Sequence, residues 1–329
     1  MFEKTNNIRI KSILSVVPKN KQILNKKNAS EKLMRVARVI GVESSFKTDS
    51  KSTVDLFLEA SKEIIKKNKI NKKKINILIC VTQTPDYLMP SCSNIIHQKL
   101  ELDEKCICFD INLGCSGYVY GLYVLMSLMN SSLYINNGIL LAGDTISKVI
   151  KKNDSSNNLL FGDAVSATYL VKKKSNSLFL LGSGNSGFDK LMIKESGFKR
   201  SDKKNSNPEF YMDGKEVFSF AVGNVPKMIN TLTKNKVSKK IDYYILHQAN
   251  KMMLDKILDI SKVNLKKRLF SIKEYGNTSS ASIPLTISKN LKINNKSKIC
   301  LLAGFGAGFS YASCIVDLSK TKIFSILKK

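Results

Sequence analysis

Apolar segments of strand length alternate with segments of helical periodicity along the whole sequence. Residues 75–84, 106–113 and 138–145 are short runs rich in Ile, Leu and Cys, which is typical of buried strands. Residues 55–69 space their apolar side chains at helical intervals and end in a basic turn, as an amphipathic helix does. This alternation predicts an α/β fold with buried, largely parallel sheets.

The second half of the chain repeats the same order of elements. Residues 241–247 and 298–306 are predicted strands, and residues 249–260 form a predicted helix between them. In each half a buried strand precedes a helix that opens with a reactive side chain, Cys115 in the first and His247 in the second. Because no flexible linker separates the halves, we expect one interlocked body rather than two separable domains.

The charge of the chain bears on its possible partners. The formal net charge is +28, from 54 Lys plus Arg against 26 Asp plus Glu, and nearly all of the excess is lysine spread along the chain. A basic surface can bind nucleic acid, anionic membrane or an acidic protein. The sequence contains no zinc-finger, basic-zipper or RNP-type aromatic motif, so nucleic-acid binding is not expected, whereas an acidic carrier protein stays open as a partner.

Cysteine content and hydropathy predict a soluble protein of the reducing cytoplasm. The seven cysteines form an odd set without paired C-x-x-C spacing, which argues against a disulfide framework and against a zinc site. The first residues, MFEKTNNIRIKS, lack an apolar leader segment. The longest apolar stretch, residues 119–129, is interrupted by Gly121 and Ser127 and is too short to span a bilayer, so no membrane insertion is expected.

Cys115 lies at a predicted strand-to-helix junction, where Gly114 and Gly117 allow a tight turn and a close approach of substrate. The N–H groups and dipole of a helix N-terminus stabilise a thiolate. His247 ends a predicted strand, and Asn277 follows a glycine in a predicted turn. Taken singly, each has a structural alternative: a small buried side chain, a strand-capping histidine, an ordinary turn residue. Together, a thiol, an imidazole and an amide in this order predict a nucleophilic enzyme that acts on thioesters.

Two glycine-rich runs allow different interpretations. Residues 182–187 fit the G-x-G-x-x-G pattern of dinucleotide sites after a predicted strand, but no convincing helix opens at their end, which argues against a nucleotide cofactor. Residues 304–308 lead directly into another predicted strand. We therefore expect a tight turn there, whose main-chain N–H groups could face a developing oxyanion.

Five motifs in sequence order connect the chain to a known family: DINLGCSGYVYGL, LLFGDAVSATYL, HQAN, GNTSSASIP and GFGAGF. Together they resemble the β-ketoacyl-acyl-carrier-protein synthase III family and its thiolase-fold relatives, from about residue 9 to about residue 317. The resemblance implies a five-layer αβαβα fold of two similar halves, residues 1–175 and 176–329, and a homodimer. It also implies acyl-CoA or acyl-carrier-protein thioesters as substrates, with no cofactor and no metal.

The resemblance assigns roles to individual residues. It implies that Cys115 takes the acyl group, and that His247 and Asn277 face the malonyl thioester. It implies an oxyanion hole from the main-chain N–H groups of Cys115 and Ala307, and it implies that Asp163 is a buried structural carboxylate. The substrate-binding residues that it implies are Arg38, Met89, Phe161, Asn250 and Phe305. The carrier-docking residues that it implies are Lys215, Lys251 and Lys256.

Several positions depart from the family pattern. Family members that prime with short acyl-CoA hold the adenine between a tryptophan and an arginine, but this chain has no tryptophan and carries Met34 and Ser155 at those positions. Met89 replaces an aromatic residue that the family donates across the dimer, and Met252 replaces a docking arginine. Since methionine adapts to bulky chains, these departures predict a longer or unusual acyl primer on acyl-carrier protein rather than acetyl-CoA.

Three functions remain to be distinguished. The first is a decarboxylative condensing enzyme that makes a 3-oxoacyl product. The second is an acyltransferase that passes the acyl group from Cys115 to an alcohol or amine. The third is a non-catalytic basic binding protein, in which Cys115 would never carry an acyl group. Because the thiol, imidazole and amide are all present, the first is the expected function.

Overall fold

One large mixed sheet joins the two halves of the chain. The structure, a computed structural model, describes residues 2–25, 27, 30–199, 207–234, 240–291 and 298–329. Within these residues the strands are β1 (Glu3–Val17), β2 (Lys21–Ile23), β3 (Ser44–Phe46), β4 (Ile77–Val81), β5 (Ile107–Ile111), β6 (Asn137–Asp144), β7 (Ala164–Ser183), β8 (Leu191–Lys194), β9 (Glu209–Met212), β10 (Tyr243–Leu246), β11 (Ile299–Gly306), β12 (Ser310–Asp317), β13 (Lys322–Ile323) and β14 (Leu327–Lys328). The α-helices are α1 (Glu31–Ile40), α2 (Thr53–Asn68), α3 (Cys92–Leu100), α4 (Gly117–Ser131), α5 (Ser155–Leu160), α6 (Gly214–Lys234), α7 (Lys251–Ile260), α8 (Ile272–Tyr275) and α9 (Ser282–Asn290).

The strand directions in this sheet are mixed. Its main path has the order β10-β11-β12-β7-β6-β4-β5, and β1 pairs with β7, β13 and β14. Strand β4 is parallel to β5 and β6, and β10 is parallel to β11. Strand β7 is antiparallel to β1, β6 and β12, and β11 is antiparallel to β12. The prediction of largely parallel sheets is therefore wrong for β7 and β12, whose neighbours are all antiparallel. The tight turn at residues 307–309, which joins β11 to β12, can connect only antiparallel strands.

Strand β7 connects the halves. It is 20 residues long and passes residues 175 and 176 without a break. Tyr169, near its start, lies opposite Ile139 of β6, and Phe179, near its end, lies opposite Cys314 of β12. Strands from both halves are therefore hydrogen-bonded to one element, which fixes their relative position.

Helix α4 is packed against strands of both halves. Its residues Tyr118, Leu122, Leu125 and Met129 are buried, and it contacts β4 and β6 as well as β11 and β12. A helix that is apolar on all sides is stable only when several sides are covered, so the core holds α4 and the residues that precede it in place. Among the described helices, none combines the length and hydropathy that a bilayer span requires.

Helix α2 confirms the amphipathic helix predicted over residues 55–69. It begins two positions earlier, because Ser52 and Asp55 form a reciprocal capping box that satisfies N–H groups of the first turn. It ends at a residue with a left-handed conformation, Lys69, whose φ is 52°. Its apolar face, including Phe57 and Ile64, is buried.

Asp163 is a buried carboxylate with a structural role, as the sequence predicted. Its oxygens accept hydrogen bonds from the main-chain N–H groups of Thr48 and Ser147, each at 2.9 Å. Burial raises the pKa of this carboxyl. The hydrogen bonds fasten the segment after β3 to the segment after β6.

The glycine-rich run at residues 182–187 does not begin a helix. Strand β7 ends at Ser183, and the next described element is strand β8, which begins at Leu191. A dinucleotide site of the G-x-G-x-x-G type needs a helix N-terminus for the pyrophosphate, which this segment does not supply.

Candidate active site

A cavity of about 300 Å³ lies where the two halves meet. Cys115 enters its wall from the first half, and His247 and Asn277 enter it from the second half. Phe161, Asn250 and Phe305 also line it. The structure thus brings together six of the residues that the sequence selected.

Cys115 occupies the turn between strand β5 and helix α4. The N–H of Gly117 donates to the carbonyl of Gly114 at 2.7 Å and closes this turn. Strand β11 runs directly beside it: a Cβ on Gly306 would lie 2.7 Å from the Cβ of Cys115, and one on Gly304 would lie 2.7 Å from the Cys115 carbonyl oxygen. Only glycine fits at such distances, so both glycines of β11 are needed for Cys115 to reach the cavity.

The electrostatic surroundings of Cys115 disfavour its thiolate. Burial, followed by the negative charge of Asp144, raises the pKa of the thiol to about 12, although a hydrogen bond from Ser279 opposes this shift. Stabilisation of the thiolate by the helix N-terminus, expected from the sequence, is outweighed here by removal of the sulfur from water. The resting group is therefore a thiol.

Asp144 is a part of this site that sequence reasoning missed. It is fully buried at the end of β6, and it accepts hydrogen bonds from Thr82 Oγ1 at 2.9 Å, from Gln83 N at 2.7 Å and from Ser280 Oγ at 3.2 Å. Burial raises the pKa of this carboxyl, and several of its hydrogen bonds lower it. An acidic residue at the carboxyl end of a buried parallel strand was the signal that could have identified it.

His247 is held rigidly at the end of β10. Its main-chain N–H donates to the carbonyl of Ala303 at 2.8 Å. Its ring packs edge-on against Phe305, with ring centroids 5.5 Å apart. Its Nδ1 lies 2.8 Å from Ser282 Oγ, which fixes the orientation of the ring. Burial lowers the pKa of the imidazole to about 3. At neutral pH the ring is therefore uncharged and carries a single N–H donor.

The amide of Asn277 lies at the cavity, and its oxygen is already hydrogen-bonded to the protein. Its Oδ1 accepts a hydrogen bond from the N–H of Ser279 at 2.9 Å. Its main chain is fixed from both sides, by a bond to the carbonyl of Leu160 at 2.8 Å and one from the N–H of Gly162 at 3.0 Å. This bond fixes which end of the amide is the oxygen, and the –NH₂ group is the end that can donate to a ligand.

The other predicted lining residues have clear structural settings. Asn250 is the N-cap of α7, and its side-chain oxygen accepts from the N–H of Met253 at 2.8 Å. Phe161 packs edge-on against Phe210 with ring centroids 4.8 Å apart. The sequence did not reveal Phe210 as the residue that contacts Phe161. Phe210 lies on β9, and β8 and β9 are strands of only four residues each.

Six predicted residues do not line the cavity. Arg38, Lys215, Lys251 and Lys256 are exposed on α1, α6 and α7, and Met89 is 85% exposed on the loop before α3. Lys251 forms an ion pair with Asp255. Ala307 lies in the turn between β11 and β12, where its carbonyl accepts a hydrogen bond from Ser310 Oγ at 2.8 Å.

Sequence reasoning also missed most of the apolar wall of the cavity. This wall comes from β8, β9 and the first turn of α6. Its apolar members are Leu191, Met192, Ile193, Phe210, Met212 and Val217. Two polar lining residues, Gln83 and Asn112, were missed as well. Gln83 lies outside the five motifs, and Asn112 lies inside DINLGCSGYVYGL, where no role was assigned to it.

Two family models match the chain. The model for "3-Oxoacyl-[acyl-carrier-protein (ACP)] synthase III" matches residues 109–185, and the model for the C-terminal part of the same enzyme matches residues 232–318. The first match contains Cys115, and the second contains His247 and Asn277. The two matches therefore cover both sides of the cavity.

Individual proteins are similar over nearly the whole chain. A putative 3-oxoacyl-[acyl-carrier-protein] synthase 3 of Campylobacter jejuni is 32% identical, with 99% of this chain and 98% of the relative covered. A β-ketoacyl-[acyl-carrier-protein] synthase III of Lactococcus lactis is 32% identical, with 84% and 88% covered. The crystal structure of a 3-oxoacyl-(acyl-carrier protein) synthase from Burkholderia xenovorans superimposes with a TM-score of 0.94 at 31% identity, covering 100% of this chain and 99% of that one.

Proposed function

The chain belongs to the 3-oxoacyl-[acyl-carrier-protein] synthase III family of thiolase-fold condensing acyltransferases, and from that premise we propose a role for each group in its cavity. The observation that supports these roles is the convergence of a thiol, a neutral imidazole and an amide donor on one cavity from both halves of the chain. A thiol forms covalent acyl intermediates, and uncharged donors stabilise an oxyanion as it develops.

In the first step Cys115 takes the primer. Its sulfur attacks the thioester carbonyl, a new carbon–sulfur bond forms, and the bond to the carrier sulfur breaks. The carrier leaves as a thiol, which balances the proton lost from Cys115. We assign the oxyanion of this step to the main-chain N–H groups of Cys115 and Ala307. The glycines of β11 support this role, since they bring the turn that contains Ala307 against the Cys115 main chain.

In the second step malonyl-acyl-carrier protein condenses with the acyl group. The carboxylate leaves as carbon dioxide, and its bonding electrons form an enolate of the thioester. We assign the enolate oxygen to the N–H of His247 and the –NH₂ of Asn277, because both can donate. The enolate carbon then attacks the acyl-Cys115 carbonyl, and the sulfur of Cys115 leaves and regains a proton. In this proposal Asn250 positions the thioester arm, and Phe305 positions the imidazole of His247.

The primer in this proposal is a longer or unusual acyl group carried on acyl-carrier protein. The apolar wall formed by β8, β9 and α6 can cover such a chain. Neither the half-buried Met34 nor the exposed Ser155 offers the ring or the guanidinium that would hold an adenine. Exposed Lys215, Lys251 and Lys256, with Arg38, are proposed to receive the phosphate and acidic surface of the carrier.

We also propose that the protein works as a cytoplasmic homodimer without a cofactor. Exposed apolar side chains support the dimer: Tyr87 is 61%, Leu88 is 63% and Met89 is 85% exposed in one loop. Strand β5 ends the path of the large sheet, and Ile107 on it is 47% exposed. Apolar surface of this kind is typical of an interface between copies.

Intact-mass analysis tests the assignment of Cys115. The enzyme is offered acyl-carrier-protein and CoA thioesters of increasing chain length, followed by labelled malonyl-carrier protein. We expect an acyl adduct on wild type and none on Cys115→Ala, then release of labelled carbon dioxide together with a 3-oxoacyl product. Product formation by Cys115→Ala, or no adduct with any thioester, would contradict the proposal. Transfer to an alcohol or amine without carbon dioxide release would instead favour the acyltransferase alternative.

A further inference from the structure

Two carboxamide side chains in the cavity have no hydrogen-bond partner among the described residues. They belong to Gln83, which is half-buried, and to Asn112, which is exposed at the rim of β5, and both line the same cavity as Cys115. Gln83 uses only its main-chain N–H, which donates to Asp144. The polar side chains of His247, Asn250 and Asn277 in the same cavity are each hydrogen-bonded to the protein.

Gln83 lies directly against the residue that precedes Cys115. A Cβ on Gly114 would collide with Oε1 of Gln83 and would lie 3.0 Å from its Cδ. A side chain at position 114 would therefore displace the carboxamide, and glycine leaves it room beside the nucleophile. The Gln83 carboxamide therefore lies against the neighbour of the nucleophile, in the lining of the cavity that an acyl chain on Cys115 would enter.

A free carboxamide at this place is unfavourable for a purely alkyl primer. A carboxamide offers two N–H donors and an accepting oxygen, and it loses hydrogen bonds to water when an alkyl chain covers it. The other lining residues nearby, Ile146, Phe161 and Phe305, are apolar. The lining is therefore mixed: the Gln83 carboxamide lies against Gly114, beside Cys115, whereas the wall formed by β8, β9 and α6 is apolar.

We infer that the acyl primer carries a hydroxyl or oxo group within a few carbons of its thioester carbonyl, and that Gln83 and Asn112 hydrogen-bond this group. The inference rests on the proposed acylation of Cys115. It leaves the decarboxylation step to His247 and Asn277, which enter the cavity from the other half of the chain. A hydroxyl group can donate to a carboxamide oxygen or accept from its –NH₂, and an oxo group can accept from the –NH₂, so either substituent can pair with the site.

Primers matched in length test this inference. Butanoyl-, 3-hydroxybutanoyl- and 3-oxobutanoyl-carrier protein are compared by the rate at which each acylates Cys115, followed by intact mass. We expect the better of the two substituted primers to react about tenfold faster than butanoyl, the discrimination typical of one hydrogen bond. In Gln83→Met the shape of the side chain is retained and the hydrogen bonds are lost. The ratio of the acylation rate of the substituted primer to that of butanoyl should then fall towards one, because the substituted primer reacts more slowly.

Asn112→Leu gives a second, independent variant, and Gln98→Met is the matched control. Gln98 is an exposed glutamine on α3, outside the cavity, and its replacement should leave the ratio unchanged. Faster reaction of butanoyl than of both substituted primers would overturn the inference while leaving acyl-Cys115 intact. An unchanged ratio of acylation rates in Gln83→Met and Asn112→Leu would overturn the inference. If size exclusion also showed an altered oligomeric state, the two amides would belong to a subunit contact instead. No acyl-Cys115 from any primer would overturn the proposed function itself.

Discussion

Asn277 forms an isolated parallel β-bridge with Phe161, which binds a residue of the second half to the cavity wall of the first. The bridge consists of two main-chain hydrogen bonds, to the carbonyl of Leu160 at 2.8 Å and from the N–H of Gly162 at 3.0 Å. The –NH₂ group that we assign to the enolate is therefore positioned by main chain, which does not change when the side chain is replaced.

Asn277→Asp should separate the two chemical steps. Aspartate keeps an oxygen that accepts from the N–H of Ser279, but it cannot donate to an enolate. We expect acylation of Cys115 to persist, whereas carbon dioxide release from malonyl-carrier protein should fall about 10²- to 10³-fold, as for the loss of one oxyanion donor. Stopped-flow acylation and labelled carbon dioxide release measure the steps separately. An equal loss in both steps would show that Asn277 acts before decarboxylation.

Alkylation of resting Cys115 should be slow and should rise steeply with pH. A pKa of about 12 leaves only about 10⁻⁵ of the thiol ionised at pH 7, and the thiolate is the reactive form. The iodoacetamide rate at Cys115, read by peptide mapping, should therefore increase about tenfold per pH unit from pH 7 to beyond pH 9. Cys115→Ala supplies the background from the other cysteines. A rate that levels off below pH 8 would show that the helix N-terminus outweighs burial.

Gly304→Ala should destabilise the protein and impair acylation. The added methyl would lie 2.7 Å from the carbonyl oxygen of Cys115 and 2.8 Å from Cα of Ser116, which are main-chain atoms that cannot rotate away. Overpacking of this kind costs about 1–3 kcal/mol of unfolding free energy, measured by urea denaturation. The matched control is Gly223→Ala in α6, where no atom lies within 4 Å of the new methyl. There we expect a gain of about 0.5–1 kcal/mol, because alanine favours the helix. Equal effects at both positions would contradict the proposed crowding around Cys115.

Protonation of His247 should limit stability in mild acid. Its pKa is lowered to about 3 in the folded protein, against about 6.5 in an unfolded chain. Below pH 6.5 the unfolded state therefore binds a proton that the folded state does not, and stability falls as the pH falls. Relative to His247→Asn, wild type should lose about 1.6 kcal/mol of unfolding free energy between pH 6.5 and pH 5. Parallel pH profiles for the two proteins would contradict a buried neutral imidazole, and His97→Asn controls for loss of an imidazole elsewhere.

Local patterns of the sequence were sufficient for most helices and strands. The capped amphipathic segment that became α2 and the buried run that became β4 each encode their structure within a few turns or residues. The direction of β7 and β12 was not encoded in this way. It depends on which strands lie next to each other, and apolar runs of parallel and antiparallel strands look alike once both faces are buried.

The sequence alone determined the types of Cys115, His247 and Asn277 and their order along the chain. The reason is that the chemistry of a thiol, an imidazole or an amide belongs to the residue itself. Their convergence on one cavity, the raised pKa of Cys115 and the free carboxamide of Gln83 were decided only by tertiary structure. Asp144, Ser279 and Gly306 reach Cys115 across long stretches of sequence. Contacts of this kind depend on how strands and helices pack, and burial converts them into shifts of pKa and of hydrogen-bonding capacity that no local pattern contains.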